Sequence, residues 1–163
     1  MVAGDALDHF GEARRRWNAA PLAPLPLVAS SLAGEWGNPG SQIELTEIRP
    51  GELLDRLLRP MSLAADADAY ALTIVGDSMW PRFRPGHRVA VSPRSPVAIG
   101  DDVLARLLPA AEDEHSGIER VLIKQLVKRT ATLFELRQFN PDLTFCLDAS
   151  KVEAVVKIAG ELI

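Results

Sequence analysis

From residue 69 onward the chain is cut into short apolar runs by proline and glycine, and this punctuation constrains the fold more than any other feature. The runs are YALTIV (70–75), HRVAVS (87–92), DVLARLL (102–108), RVLIKQLVKR (120–129), TLFELRQF (132–139), LTFCLD (143–148) and VEAVVKIAGELI (152–163). Pro81, Pro85-Gly86, Pro93, Pro96, Gly100 and Asn140-Pro141 separate them. Proline removes a backbone donor and fixes φ, while glycine opens left-handed turns, so no long helix runs through this region. Many short strands with frequent turns predict a compact, mainly β domain of mostly antiparallel strands.

Upstream, LVASSLAGEW (27–36) reads as an extended strand that ends at the turn cluster Gly37-Asn38-Pro39-Gly40. Residues 51–59 put Leu53, Leu54, Leu57 and Leu58 on one helical face ahead of Pro60, and predict the one short helix of the domain. At the N-terminus, DALDHFGEARRRW (5–17) has the spacing of an amphipathic helix capped by Asp5, weakened by Gly11. The NAAPLAPLP stretch after it favours an extended connector. The expected organisation is an arm and linker over residues 1–26 and one folded domain over 27–163, so that a chain beginning at Pro26 should fold.

At 163 residues and 47% hydrophobic, the chain is long enough to bury a real core. Its 18 Lys and Arg against 22 Asp and Glu give a net charge of −4, a poor balance for a stand-alone nucleic-acid binder. The Arg14-Arg15-Arg16 run reads as a solvated helix face, and the consecutive helices of a helix-turn-helix reader are not found. A single Cys excludes an internal disulfide. No apolar run approaches the roughly 20 residues that span a bilayer, and the N-terminus lacks the order of a signal peptide. A soluble, cytoplasmic protein is expected, with no membrane partner. No metal or cofactor is expected either, because no His, Cys and carboxylate group has ligand spacing.

The segment VGDSMWP (75–81) carries the first chemical signal. A strand runs into a Gly-Asp turn that presents Ser78, and the backbone N–H groups of the turn are placed to stabilise an oxyanion, with Gly76, Asp77 and Met79 as its support. Gly-Asp-Ser is also an ordinary turn. Of the possible bases, His9, His87 and His115 lie beside turns or in the arm, in no Ser-His-Asp context. A Ser-x-x-Lys pair is excluded because position 81 is proline. In VLIKQLV (121–127), read as a strand, Lys124 shares a face with Leu122 and Leu126. An ammonium group there is desolvated, its pKa falls, and the neutral amine can take a serine proton. The alternative is a lysine that reaches solvent from an edge strand. Lys128, next to Arg129, reads as solvated. Cys146 reads as a buried strand residue rather than a nucleophile, and Met79 and Trp80 read as packing beside the serine turn.

Taken in order, VGDSMWP (75–81), GHRVAV (86–91), GDDVL (100–104), IKQL (123–126) and FNP (139–141) resemble the self-cleaving peptidase domain of LexA/CI-type repressors, the S24 group, over about residues 27–163. The resemblance implies a β fold like that of LexA and the signal peptidases, with Ser78 as nucleophile and Lys124 as general base. It also implies a scissile bond between Ala33 and Gly34 in LAGEW (32–36); Ala3-Gly4 lies outside the matched region. The family further implies a homodimer, a RecA–single-stranded-DNA filament as trigger, and DNA contact only through an N-terminal domain that is missing here. Two other settings fit: a UmuD-like cleavable accessory of translesion synthesis, and an idle dimerisation or interaction module. Signal peptidases share the Ser/Lys logic but carry a membrane anchor. Three departures stand out: His87 follows Gly86 where Asp is usual, Gln125 replaces a commonly basic residue, and residues 41–68 match poorly.

Overall fold

The computed structural model describes residues 22–163. The helix expected over 5–17 and the first four residues of the proline connector, 18–21, lie outside the described residues. Nine strands follow in order: β1 (Leu25–Glu35), β2 (Glu44–Leu57), β3 (Tyr70–Thr73), β4 (Arg88–Ser92), β5 (Asp102–Leu107), β6 (Glu119–Arg129), β7 (Leu133–Phe139), β8 (Asp142–Asp148) and β9 (Val152–Glu161). Three single turns of 3₁₀ helix, Met61–Leu63, Ala111–Asp113 and Ala149–Lys151, are the only helical elements among the described residues. The mainly β expectation holds, with strands close to the sequence-read runs.

The helix expected over 51–59 is not there. Residues 51–57 form the second half of β2, paired antiparallel with β1 through Leu53↔Val28, Asp55↔Leu27, Arg56↔Pro26 and Leu57↔Leu25, and Leu58 and Arg59 follow it without regular structure. A nine-residue helix is marginal in water, whereas a partner strand satisfies the backbone at once. In the strand Leu53 and Leu54 remain 43% and 57% exposed, so pairing with β1 rather than burial of these leucines holds this half of β2. Between Arg49 and Leu53 the register slips, and Pro50-Gly51 falls in that irregular stretch, where a missing N–H costs no ladder bond. β1 also takes in Leu25 and Pro26, residues the sequence places in the linker.

The strand order is β2-β1-β3-β4-β9-β5-β6-β7-β8, antiparallel throughout except for the parallel pair β1–β3. β2 pairs a second time, with β6, through Thr46↔Val121, Glu47↔Arg120 and Ile48↔Glu119, and so closes seven of the strands on themselves. β6 therefore forks. Its early residues bond β2 and its later ones bond β7, from Gln125↔Arg137 to Arg129↔Phe134. Side chains of β6 alternate between two cores: Val121 and Ile123 join Leu72, Met79, Phe83 and Val91. Leu122 and Leu126 join Leu45, Val103, Leu136 and Leu147.

Cys146 departs from its expected burial. On β8, at the end of the sheet, Leu143, Phe145 and Leu147 turn inward and Cys146 alternates out to solvent. None of the described helical turns is long and apolar enough to cross a membrane.

Candidate active site

Ser78 follows β3 in a turn whose first residue, Gly76, has φ +77°, a value that L side chains rarely adopt. Met79 fixes this turn by burying its side chain in the core beside Phe83, and its carbonyl accepts from the Phe83 N–H at 2.9 Å. Trp80 stays partly exposed, with Arg84 over its ring. The end of β7 holds the turn from the other side. The N–H groups of Phe139 and Asn140 both donate to the Ser78 carbonyl, at 3.0 and 2.8 Å, and Asn140 Nδ2 donates to the Asp77 carbonyl at 3.2 Å. These bonds hold Ser78, 5% exposed, at the edge of a cleft.

Lys124 meets it there. Opposite Val103 of β5 and with Leu122 and Leu126 on its face, Lys124 is 1% exposed. It sits at the fork of β6, just beyond the residues that bond β2 and just before those that bond β7. Its Nζ stands 3.4 Å from Ser78 Oγ and donates to the Glu44 backbone carbonyl at 3.1 Å. Burial in the apolar interior pulls its pKa down to about 8, against the opposing pull of the Glu44 charge. Gln125, next along, points the other way and donates to the Gly100 carbonyl at 3.2 Å. Lys128 is exposed, as its position implied.

Glu44 is a polar partner that no local sequence pattern marks. It opens β2, and its Oε1 accepts the Ser78 hydroxyl at 2.9 Å. Its N–H donates to Oε1 of the fully buried Gln138 on β7 at 3.0 Å, and Gln138 Nε2 donates to the Gln42 carbonyl at 2.8 Å. One amide thus spans the gap that the fork opens between β2 and β7.

Ala33 and Gly34 lie on the same side of the molecule. The β1–β2 register runs Leu32↔Thr46 and then Glu35↔Glu44, so two residues of β1 face only Leu45. This is a β-bulge, and Gly34 adopts φ +90° within it. Gly34 borders a cleft of about 340 Å³ together with Leu32, Glu44, Asp77, Ser78 and Asn140. Ala33 packs instead against the core around Leu45. Of the remaining candidates, His87 pairs with Glu161 and does not line the cleft. His115 lies in the exposed loop before β6, and His9 falls outside the described residues. A larger groove, about 650 Å³ beside Trp36 and Leu107, contains neither Ser78 nor Lys124.

A serine hydroxyl and a buried lysine amine meeting at a cleft can together supply a nucleophile and a base. Residues 26–163 match the family described as Peptidase S24-like, and the chain belongs to it. Among named proteins it is 38% identical over 117 residues to "Repressor protein C" of Rhizobium phage 16-3, covering 72% of this chain and 41% of that protein. It is 29% identical over 89 residues to "Prophage repressor CohE" of Escherichia coli K12, covering 54% of this chain and 36% of that protein. The matched regions thus span well under half the length of either relative.

Proposed function

We propose that this chain is the self-cleaving regulatory domain of a phage-type repressor, cutting its own Ala33–Gly34 bond with Ser78 and Lys124. The observation that carries this reading is the 3.4 Å approach of Lys124 Nζ to Ser78 Oγ in a cleft that Gly34 also borders. Neutral Lys124 takes the Ser78 proton as Oγ bonds to the Ala33 carbonyl carbon. The oxyanion is held by turn N–H groups near Ser78, with Gly76, Asp77 and Met79 supporting that turn. The Gly34 amine leaves with the proton from Lys124, and water then hydrolyses the Ala33 ester, returning Ser78 to its free form. Gly34 in a bulge at the cleft offers a narrow stretch of backbone, and a substrate in the same chain replaces a bimolecular encounter with a local one.

In this reading the domain pairs with a second copy, responds to a RecA–single-stranded-DNA filament, and reaches DNA only through a separate DNA-binding domain. The two repressor relatives favour this setting over a UmuD-like one. Purified protein held at alkaline pH tests the chemistry. Wild type should fall into two pieces, while Ser78→Ala and Lys124→Ala stay whole, each still showing a cooperative melting transition. Cutting that continues in either variant rejects the assignment.

A further inference from the structure

A serine hydroxyl has one proton to give, and here it goes to Glu44 rather than to Lys124. The Ser78–Glu44 bond is 2.9 Å, while Lys124, 3.4 Å away, acts towards the same oxygen as a donor. That arrangement suits a charged lysine and a resting serine, the reverse of what proton abstraction needs. The chain is built to allow it. A Cβ on Gly76 would lie 2.1 Å from Glu44 Oε2, so only glycine at that position lets the carboxylate reach the serine. Gln138 fixes the Glu44 backbone from the other side.

We propose that Glu44 is a positioning residue that holds the Ser78–Lys124 pair in its resting state, by capturing the serine proton and by favouring the charged lysine. This rests on the Ser/Lys reading given above. Glu44 is also coupled to the segment to be cut, since it pairs with Glu35, the residue after Gly34. Any movement of the β1–β2 hairpin that brings the Ala33 carbonyl to Oγ also moves the strand that carries Glu44, so docking and release of the serine become one event. The titratable groups lining the cleft are Glu35 of β1, Glu44 of β2 and Asp77 of the serine turn, and the buried Lys124 of β6 reaches Ser78 from the interior. β7 and the turn after it contribute the uncharged Gln138 and Asn140. Glu44 alone among the carboxylates bonds the hydroxyl.

The test is labelling of Ser78 by a fluorophosphonate probe from pH 6 to 10, which reads serine reactivity without requiring the chain to cut itself. Glu44→Gln keeps the shape and removes the charge. Its labelling midpoint should move down by about half a unit, which gives about threefold faster labelling at neutral pH. Glu44→Asp keeps the charge but shortens the reach, and should label faster with a smaller midpoint change. Melting temperatures near wild type confirm that both fold. A Glu44→Gln profile that coincides with wild type, or is slower, overturns this role for Glu44 and leaves the Ser/Lys reading standing. A wild-type protein that never labels at Ser78 overturns both.

Discussion

Lys124 Nζ stands 3.4 Å from Ser78 Oγ although 46 residues separate them. The fold creates this approach by forking β6. Where the edge of β6 leaves β2 and takes up β7, the Lys124 side chain reaches between the two strands towards the serine turn, which β7 holds by two bonds to the Ser78 carbonyl. The lysine is thus both buried and adjacent to the Ser78 hydroxyl, the two conditions that the proposed neutral base needs.

Burial of Lys124 carries a stability signature of known sign. Its folded pKa is lowered to about 8 from an ordinary value of 10.5. Below pH 8 both folded and unfolded chains hold the proton, and the cost of burying the ammonium is fully present. Between about 8 and 10.5 the unfolded chain binds more protons, so stability rises with pH. The full gain is about 3 kcal/mol, of which about 2 kcal/mol falls between pH 7.5 and 9.5. Urea denaturation at pH 7.5 and 9.5 should show it in wild type, and Lys124→Met should remove most of it.

Gln138 should matter out of proportion to its chemistry. It is fully buried and satisfies both the Glu44 N–H and the Gln42 carbonyl. Gln138→Leu takes away the partner of the Glu44 N–H, a loss of about 1–3 kcal/mol for one stranded group, while the carbonyl of the exposed Gln42 turns to water. Equilibrium denaturation should register a loss in that range. Fluorophosphonate labelling of Ser78 should change as well, because the Glu44 backbone is released.

The start of the folded body lies ahead of Pro26. Leu25 is fully buried in the core with Leu27, Leu63 and Ala71, and Arg59 donates to the Ala23 carbonyl at 2.7 Å. A chain of residues 22–163 keeps all of these contacts and should fold cooperatively. One beginning at Pro26 loses a buried leucine and those bonds, and should be less stable by about 2–5 kcal/mol. Melting curves of the two truncations compare them directly.

Ser78 and Lys124 were legible because local patterns mark them. A glycine turn after a strand exposes the serine, and strand parity puts the lysine among leucines. Glu44 and Gln138 carried no such mark. A carboxylate at the start of a strand and an amide within one look ordinary, and their roles arise only when β2 and β7 meet beside the fork of β6, 80 to 94 residues apart in sequence. The leucines of 51–59 misled for a related reason. Their spacing fits a helical face, but the hairpin with β1 offered hydrogen bonds that a short helix could not match. Cys146 shows the limit of composition: an apolar run became an end strand with one face in water, and parity alone decided which side the cysteine took.

Product masses as a function of pH test the proposed cleavage most directly. Incubated from pH 6 to 10, the wild-type chain should yield a piece ending at Ala33 and one beginning at Gly34, at a rate that climbs as pH passes about 8, where Lys124 loses its proton. A chain that stays whole at pH 10, a cut at another bond, or a rate that falls as pH rises contradicts it.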